Sequence, residues 1–213
     1  MNSEVPSSVN FQNGFEAQKW ANESLAKRPG RLHLFQRFVW EVSQLANPPR
    51  TVLELGSGPG FLAEQLLRQC PSIETYYLLD FSGAMIDLSR TRMRPFEGKD
   101  IQYIQASFKV SSWVNQVPTV PDVIVSMEAI HEVRHKRHVP RLYTEIASIL
   151  PPHGVVLICD HLPADKSDRE QSLYMAQHEQ LTAFAMAGFL QRETRAFQSG
   201  LALYRAQLCG NLG

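Results

Sequence analysis

Val52-Leu53-Glu54-Leu55-Gly56-Ser57-Gly58-Pro59-Gly60 is the stretch from which the rest of the chain can be read. A short apolar run enters a glycine-rich turn, and FLAEQLLRQC (61–70) follows with helical spacing. Strand, tight turn and helix in that order open a βαβ unit whose first strand is buried on both faces. The glycines let backbone approach a ligand closely, and the helix start offers free N–H groups to it. Two residues restrict that ligand. Glu54 puts a carboxylate at the strand end, where a phosphate would be repelled, and Pro59, read as a helix N-terminal residue, removes one donor that a pyrophosphate would use. The turn is therefore expected to take a ligand with a cationic end and no phosphate.

The same alternation continues outward. ETYYLLD (74–80) reads as a strand, GAMIDLSRTRM (83–93) as a helix, and IQYIQ (101–105) and VIVSM (123–127) as strands. PRLYTEIASIL (140–150) reads as a helix with Pro140 in its first turn, and VVLICD (155–160) as the fifth strand. Upstream, RLHLFQRFVWEVSQLA (31–46) sets Leu34, Phe38, Val42 and Leu45 on one helical face until Asn47-Pro48-Pro49 ends it. This pattern predicts an α/β, doubly wound sheet with right-handed crossovers. QSLYMAQHEQLTAFAMAG (171–188) reads as one long helix. FLQRETRAF (189–197) and LALYRAQ (201–207), split by Gln198-Ser199-Gly200, read as an antiparallel hairpin at the sheet edge. Asp80 closes the second strand, where a carboxylate either accepts both hydroxyls of a ribose or caps the helix that begins near Ser82.

The composition excludes several classes. With 213 residues the chain fits one domain, and 44% hydrophobic against 20% charged residues is a globular balance. Lys and Arg number 21 and so do Asp and Glu, which argues against gripping nucleic acid or anionic membrane by bulk charge. No window has the roughly 18–20 apolar residues of a membrane span, and the N-terminal MNSEVPSSVNFQNGF lacks the order of a secretory signal. Cys70, Cys159 and Cys209 match neither a disulfide framework nor a zinc pattern. A cytoplasmic protein is expected.

Four segments in this order resemble the class I, Rossmann-like S-adenosylmethionine-dependent methyltransferases. They are Glu54–Gly60, Leu79-Asp80-Phe81-Ser82 with Met85, Asp122-Val123-Ile124-Val125-Ser126, and Leu150-Pro151-Pro152-His153-Gly154. The resemblance implies a seven-stranded sheet of order 3-2-1-4-5-7-6 with an antiparallel last strand. It divides the chain into an N-terminal lid-like segment (1–30), a methyltransferase domain (31–207) and a tail (208–213). It also implies that Gly56, Ser57, Gly58 and Gly60 hold the methionine part of S-adenosylmethionine, and that Glu54 sits by its ammonium. Asp80 would bind the ribose, and Phe81 and Met85 would flank the adenine. Ala106, Ser107 and Phe108 would complete the adenine site, with Met127 beside the cofactor. Ser107 departs from the family, which commonly has an acidic residue there; a hydroxyl accepts the adenine amino group more weakly than a carboxylate. S-adenosylhomocysteine would be the product.

On the acceptor side, an alcohol or phenol benefits from a base, and His is the usual one. His131, after the fourth strand, and His161, at the end of the fifth, lie at the carboxyl rim where α/β clefts open, and both are catalytic candidates. Phe11, Phe15 and Trp20 are expected as lid residues over the acceptor, with Met175 and His178 as the opposite wall. A magnesium site from Glu128, Asp160 and His161 lacks an oxygen-rich ligand set, so no metal is expected. The basic run HEVRHKRHVPR (131–141) reads either as a solvated loop or as a site for an anionic partner. The main expectation is methyl transfer to nitrogen or oxygen of a small molecule, with nucleic acid and membrane not expected as partners. The alternatives are an RNA methyltransferase using residues 131–141 and a non-catalytic cofactor-binding protein. The sequence carries neither an Asn-Pro-Pro-Tyr signature for amide or base amino acceptors nor a cysteine cluster for arsenic.

Overall fold

The computed structural model describes residues 4–164 and 167–208. Seven strands form one sheet: β1 Thr51–Leu55, β2 Thr75–Asp80, β3 Asp100–Gln105, β4 Val123–Met127, β5 Val155–His161, β6 Phe189–Gln198 and β7 Leu201–Leu208. Their order is β3-β2-β1-β4-β5-β7-β6, as expected. The first five are parallel, β7 runs antiparallel to β5, and β6 pairs antiparallel with β7 at the edge. Ser199 and Gly200 both have positive φ, which suits a two-residue hairpin whose twist matches its strands.

Among the described residues, seven α-helices surround the sheet: α1 Gly14–Lys27, α2 Gly30–Ser43, α3 Phe61–Gln69, α4 Gly83–Met93, α5 Val139–Ser148, α6 Asp168–Leu173 and α7 Gln177–Met186. Strand residues alternate between two cores. Val52, Tyr76, Val123 and Leu157 meet Leu34, Phe38 and Val42 of α2 and Leu62 and Leu66 of α3. Leu53, Tyr77, Ile124 and Val156 meet Trp113, Leu142 and Ile146 of α5, and Phe184 of α7. Strands buried on both faces need the near-continuous apolar runs from which they were read.

Three sequence expectations change. The helix expected over 171–188 is two helices, because Tyr174 takes an extended conformation and the Glu179 side chain accepts the Ala176 N–H at 2.8 Å, starting α7 afresh. Pro59 is not a helical residue, since α3 begins at Phe61 behind a left-handed Gly60. Residues 208–213 are not all tail: Leu208 ends β7, while the remainder, with Cys209, lies outside the described residues. Among the described residues, no helix is long and apolar enough to cross a membrane.

Candidate active site

The glycine turn is shaped by its neighbours. Gly56 has φ +66°, and a Cβ there would stand 2.2 Å from the Ala129 Cβ, so only glycine fits. Its N–H and that of Ser57 both donate to the Leu79 carbonyl, at 2.8 and 3.0 Å, which fastens the turn to the end of β2. Asp80 joins the pieces: its carboxylate accepts the Gly58 N–H at 2.8 Å and the Ser82 N–H at 2.9 Å. The cap of α4 is Ser82, whose hydroxyl accepts the Met85 N–H. Asp80 is therefore not the helix cap itself, and each of its oxygens keeps a lone pair. Burial lifts its pKa to about 6, with Glu132 adding to the rise against the two N–H groups.

Glu54 lies beneath the turn and accepts the Tyr76 hydroxyl at 2.7 Å. Burial pushes its carboxyl up to about 8, and Asp80 adds to the effect. The Ser57 hydroxyl is buried without a partner. Glu54, Gly56, Ser57, Gly58, Asp80, Phe81, Met85, Phe108 and Met127 all line one cavity. Gly60, Ala106 and Ser107 do not: Gly60 packs toward α4, Ala106 is buried, and the Ser107 hydroxyl accepts the Lys109 N–H.

The opposite wall is built on the ends of β4 and β5. Asp160 accepts from His131 twice, at the backbone N–H (2.8 Å) and at Nδ1 (2.7 Å), and also from the His161 N–H (2.7 Å). The other ring nitrogen of His131 stands 3.5 Å from Glu132. Burial opposes the imidazolium of His131, but Asp160 and then Glu132 outweigh it and raise its pKa to about 10. The sequence reading singled out His131 and missed its partner. His131, Asp160 and His161 bring their ligand atoms within 4.8 Å of one another, as a metal site would. Those atoms are already engaged, however: the first two bond each other, and His161 Nε2 is 3.0 Å from Arg28 and 3.2 Å from Glu128. His161 thus braces the rim and does not line the cavity.

Glu128 gathers two arginines from the N-terminal helices. Arg31 binds it through Nε and Nη2, and Arg28 through Nη1. Burial works against its ionisation, yet His161 and Arg31 hold its pKa far below the usual range. Glu128 also has φ +53°, an uncommon backbone for a non-glycine residue, of the kind that clusters at functional sites. Nothing in the sequence flagged this ion cluster, because its members are about 100 residues apart.

Residues 5–11 cross the cleft as a strap. Arg134 donates to the carbonyls of Val5 (2.7 Å) and Pro6 (2.6 Å), Val5 N–H returns a bond to the Arg134 carbonyl, and the Ser82 hydroxyl donates to the Phe11 carbonyl. Phe11 meets Trp20 edge to face at 5.6 Å, and both line the cavity, as expected of lid residues. Phe15 does not: α1 turns Ala17 and Ala21 inward and leaves Phe15 79% exposed. Met175 is buried in the core and His178 is exposed on α7, so neither forms the far wall. The break after α6 instead brings Leu173, Tyr174 and Arg169 there. The Ser167–Glu170 pair, in which Glu170 N–H donates to the Ser167 hydroxyl, is the helix-start signature that marks the beginning of α6 in the sequence.

The basic run 131–141 is largely used internally. Besides Arg134, Lys136 pairs with Glu179, and Arg141 binds Glu145 and the carbonyls of Phe108 and Lys109.

The comparisons agree with this fold. A solved O-methyltransferase family protein from Burkholderia thailandensis is 18% identical with TM-score 0.73, over 99% of this chain and 66% of that one. The N-methyltransferase NodS from Bradyrhizobium japonicum WM9, in complex with S-adenosyl-L-homocysteine, is 16% identical with TM-score 0.67, over 87% and 90%. The non-reducing polyketide synthase ausA of Penicillium brasilianum is 27% identical over 139 residues, 61% of this chain but 5% of that protein. The chain thus spans a small fraction of that curated relative. A family model described as a methyltransferase domain matches residues 25–202, and the chain belongs to that methyltransferase family.

Proposed function

We propose that this protein transfers a methyl group from S-adenosylmethionine to an oxygen or nitrogen of a small-molecule acceptor. The observation that carries the reading is one cleft lined both by Glu54, the glycine turn and Asp80 and by His131, which Asp160 holds from outside the cavity. The first group fits the cofactor. Glu54 offers a buried carboxyl to its ammonium, Ser57 an unpartnered hydroxyl, and Asp80 two lone pairs to a ribose diol. Bound there, S-adenosylmethionine supplies the methyl group on a sulfonium. The NodS complex with S-adenosyl-L-homocysteine lends support as a fold relative.

His131 holds a proton in the same cleft. Fixed by Asp160 at Nδ1, with Glu132 3.5 Å from its other nitrogen, it takes the proton of an acceptor oxygen once it has given up its own. Residues 5–11 with Phe11 and Trp20 act as a lid that excludes water and aligns the reactants. The fold likeness to the CurJ carbon methyltransferase supports a second reading, in which the acceptor atom is a carbon.

Calorimetric titration of S-adenosylmethionine and S-adenosylhomocysteine tests the cofactor. Asp80→Ala is expected to weaken both by about 2–3 kcal/mol, the range for hydrogen bonds to a charged group. Unchanged affinity, with Asp80→Asn agreeing, would place the ribose elsewhere.

A further inference from the structure

Tyr174 lines the cleft together with two cations near it. Arg28, just after α1, and Arg169, in α6, line the same cavity as the Tyr174 ring. Both act on its phenol: burial raises the Tyr174 pKa, Glu170 and Asp160 add to that, and Arg169 and Arg28 pull the other way. Arg169 is exposed and has no hydrogen-bond or ion-pair partner among the described residues. Arg28 shares its one carboxylate, Glu128, with Arg31 and His161. Glu170, the acid next to Arg169, does not line the cavity and accepts the Ala164 N–H at 3.2 Å. Farther in, Asp160 and Glu132 are taken by His131 and Arg134. Among the described residues, then, the guanidinium groups of Arg28 and Arg31 share the single carboxylate of Glu128, and that of Arg169 pairs with none. An exposed arginine ordinarily rests in water, but Arg28 and Arg169 line a concave site together with a tyrosine.

Resting on the methyl-transfer reading above, we propose that the acceptor carries a carboxylate, held at the mouth of the cleft by Arg28 and Arg169 with the Tyr174 hydroxyl. The planar guanidinium fork matches a carboxylate in geometry and charge. A monoanion suits the site better than a dianionic phosphate, since Asp80, Glu128 and Glu132 line the same cavity. The group to be methylated then lies deeper, by His131. The cofactor has a carboxylate of its own, so the test must separate the two sources.

The probes are 4-hydroxybenzoate and 4-hydroxyphenylacetate, their methyl esters, and 4-hydroxyphenyl phosphate. Each is titrated calorimetrically into protein saturated with S-adenosylhomocysteine. At least one acid is expected to bind tenfold or more tighter than its ester and than the phosphate. Arg169→Gln and Arg28→Gln should each reduce that preference fivefold or more, and the exposed, unpaired Arg169 can be replaced without touching the fold. Equal binding of acid and ester, no binding of either acid, or tighter binding of the phosphate overturns the proposal. So does an Arg169→Gln variant that loses S-adenosylhomocysteine affinity instead, because the cofactor's carboxylate would then be the anion read. A parent protein that binds no S-adenosylhomocysteine overturns the methyl-transfer reading. An Arg169-dependent preference for the acids in that same protein would still retain the carboxylate site.

Discussion

Glu54 shows how a single side chain links fold to ligand. Burial beneath the glycine turn lifts its carboxyl to about 8, so at neutral pH it is mostly protonated and donates no charge to the cleft. A ligand ammonium placed beside it reverses this, because an adjacent opposite charge favours the ionised form. S-adenosylmethionine binding at pH 7 is therefore expected to release a proton, and the observed enthalpy to differ between phosphate and Tris buffers by the buffer's ionisation heat. Glu54→Gln should abolish that difference; an equal difference in the variant would assign the proton to another group. His131 makes the complementary case. Asp160 and Glu132 keep its imidazolium up to a pKa of about 10, so an acceptor that must lose a proton to it reacts faster as pH rises. The pH profile of kcat/KM should climb through neutrality, and Asp160→Asn should move its midpoint toward acid by roughly 1–3 units, the usual effect of an adjacent charge. A midpoint that stays in place would give the limb to the acceptor and leave His131 a structural role.

At the scale of elements, the strap over residues 5–11 is expected to control entry. The cavity has a volume of about 190 Å³, below the roughly 300–1,000 Å³ of most ligand clefts, and Ser7, Ser8, Val9 and Phe11 form part of its wall. Arg134 fastens this wall by its guanidinium bonds to Val5 and Pro6. Arg134→Gln should loosen the strap and speed both association and dissociation of S-adenosylhomocysteine in stopped-flow fluorescence from Trp20, by about tenfold if one to two hydrogen bonds set the barrier. Unaltered rates would mean that the strap does not gate the site. The sheet and its helices were legible because they follow from local pattern: apolar runs, period-3.6 faces and glycine turns. The strap was legible only as three aromatics in a polar stretch, two of which reach the cleft and one of which, Phe15, does not. What joins Arg28 and Arg31 to Glu128, or His131 to Asp160, is the carboxyl-end geometry of β4 and β5, and no spacing in the chain records it. The far wall was misplaced for a local reason, since the break at Tyr174–Ala176 rotates every residue after it to a new face.

Across the whole molecule, the buried titrating groups of the cleft give stability a direction with pH. Asp80, Glu54 and His131 have folded pKa values of about 6, 8 and 10, all above their ordinary values of 3.8, 4.5 and 6.5. The folded state therefore holds these protons more tightly than the unfolded chain. Their contribution is complete below each ordinary value and is lost as pH rises through each folded value. Glu128, Glu132 and Asp160 are shifted downward, so their contribution is present above the ordinary carboxylate range and lost only in acid. Together they place the ligand-free maximum on the acid side of neutrality, with Tm falling between about pH 6 and pH 10. S-adenosylhomocysteine should flatten the lower part of that fall, because its ammonium and ribose hydroxyls favour the ionised forms of Glu54 and Asp80, while the part due to His131 remains. Thermal unfolding from pH 5 to pH 10, with and without saturating ligand, measures both effects. A ligand-free Tm that is level or rises from pH 6 to pH 8 would show that Glu54 and Asp80 already reach solvent, and the cleft would then be open in the resting protein.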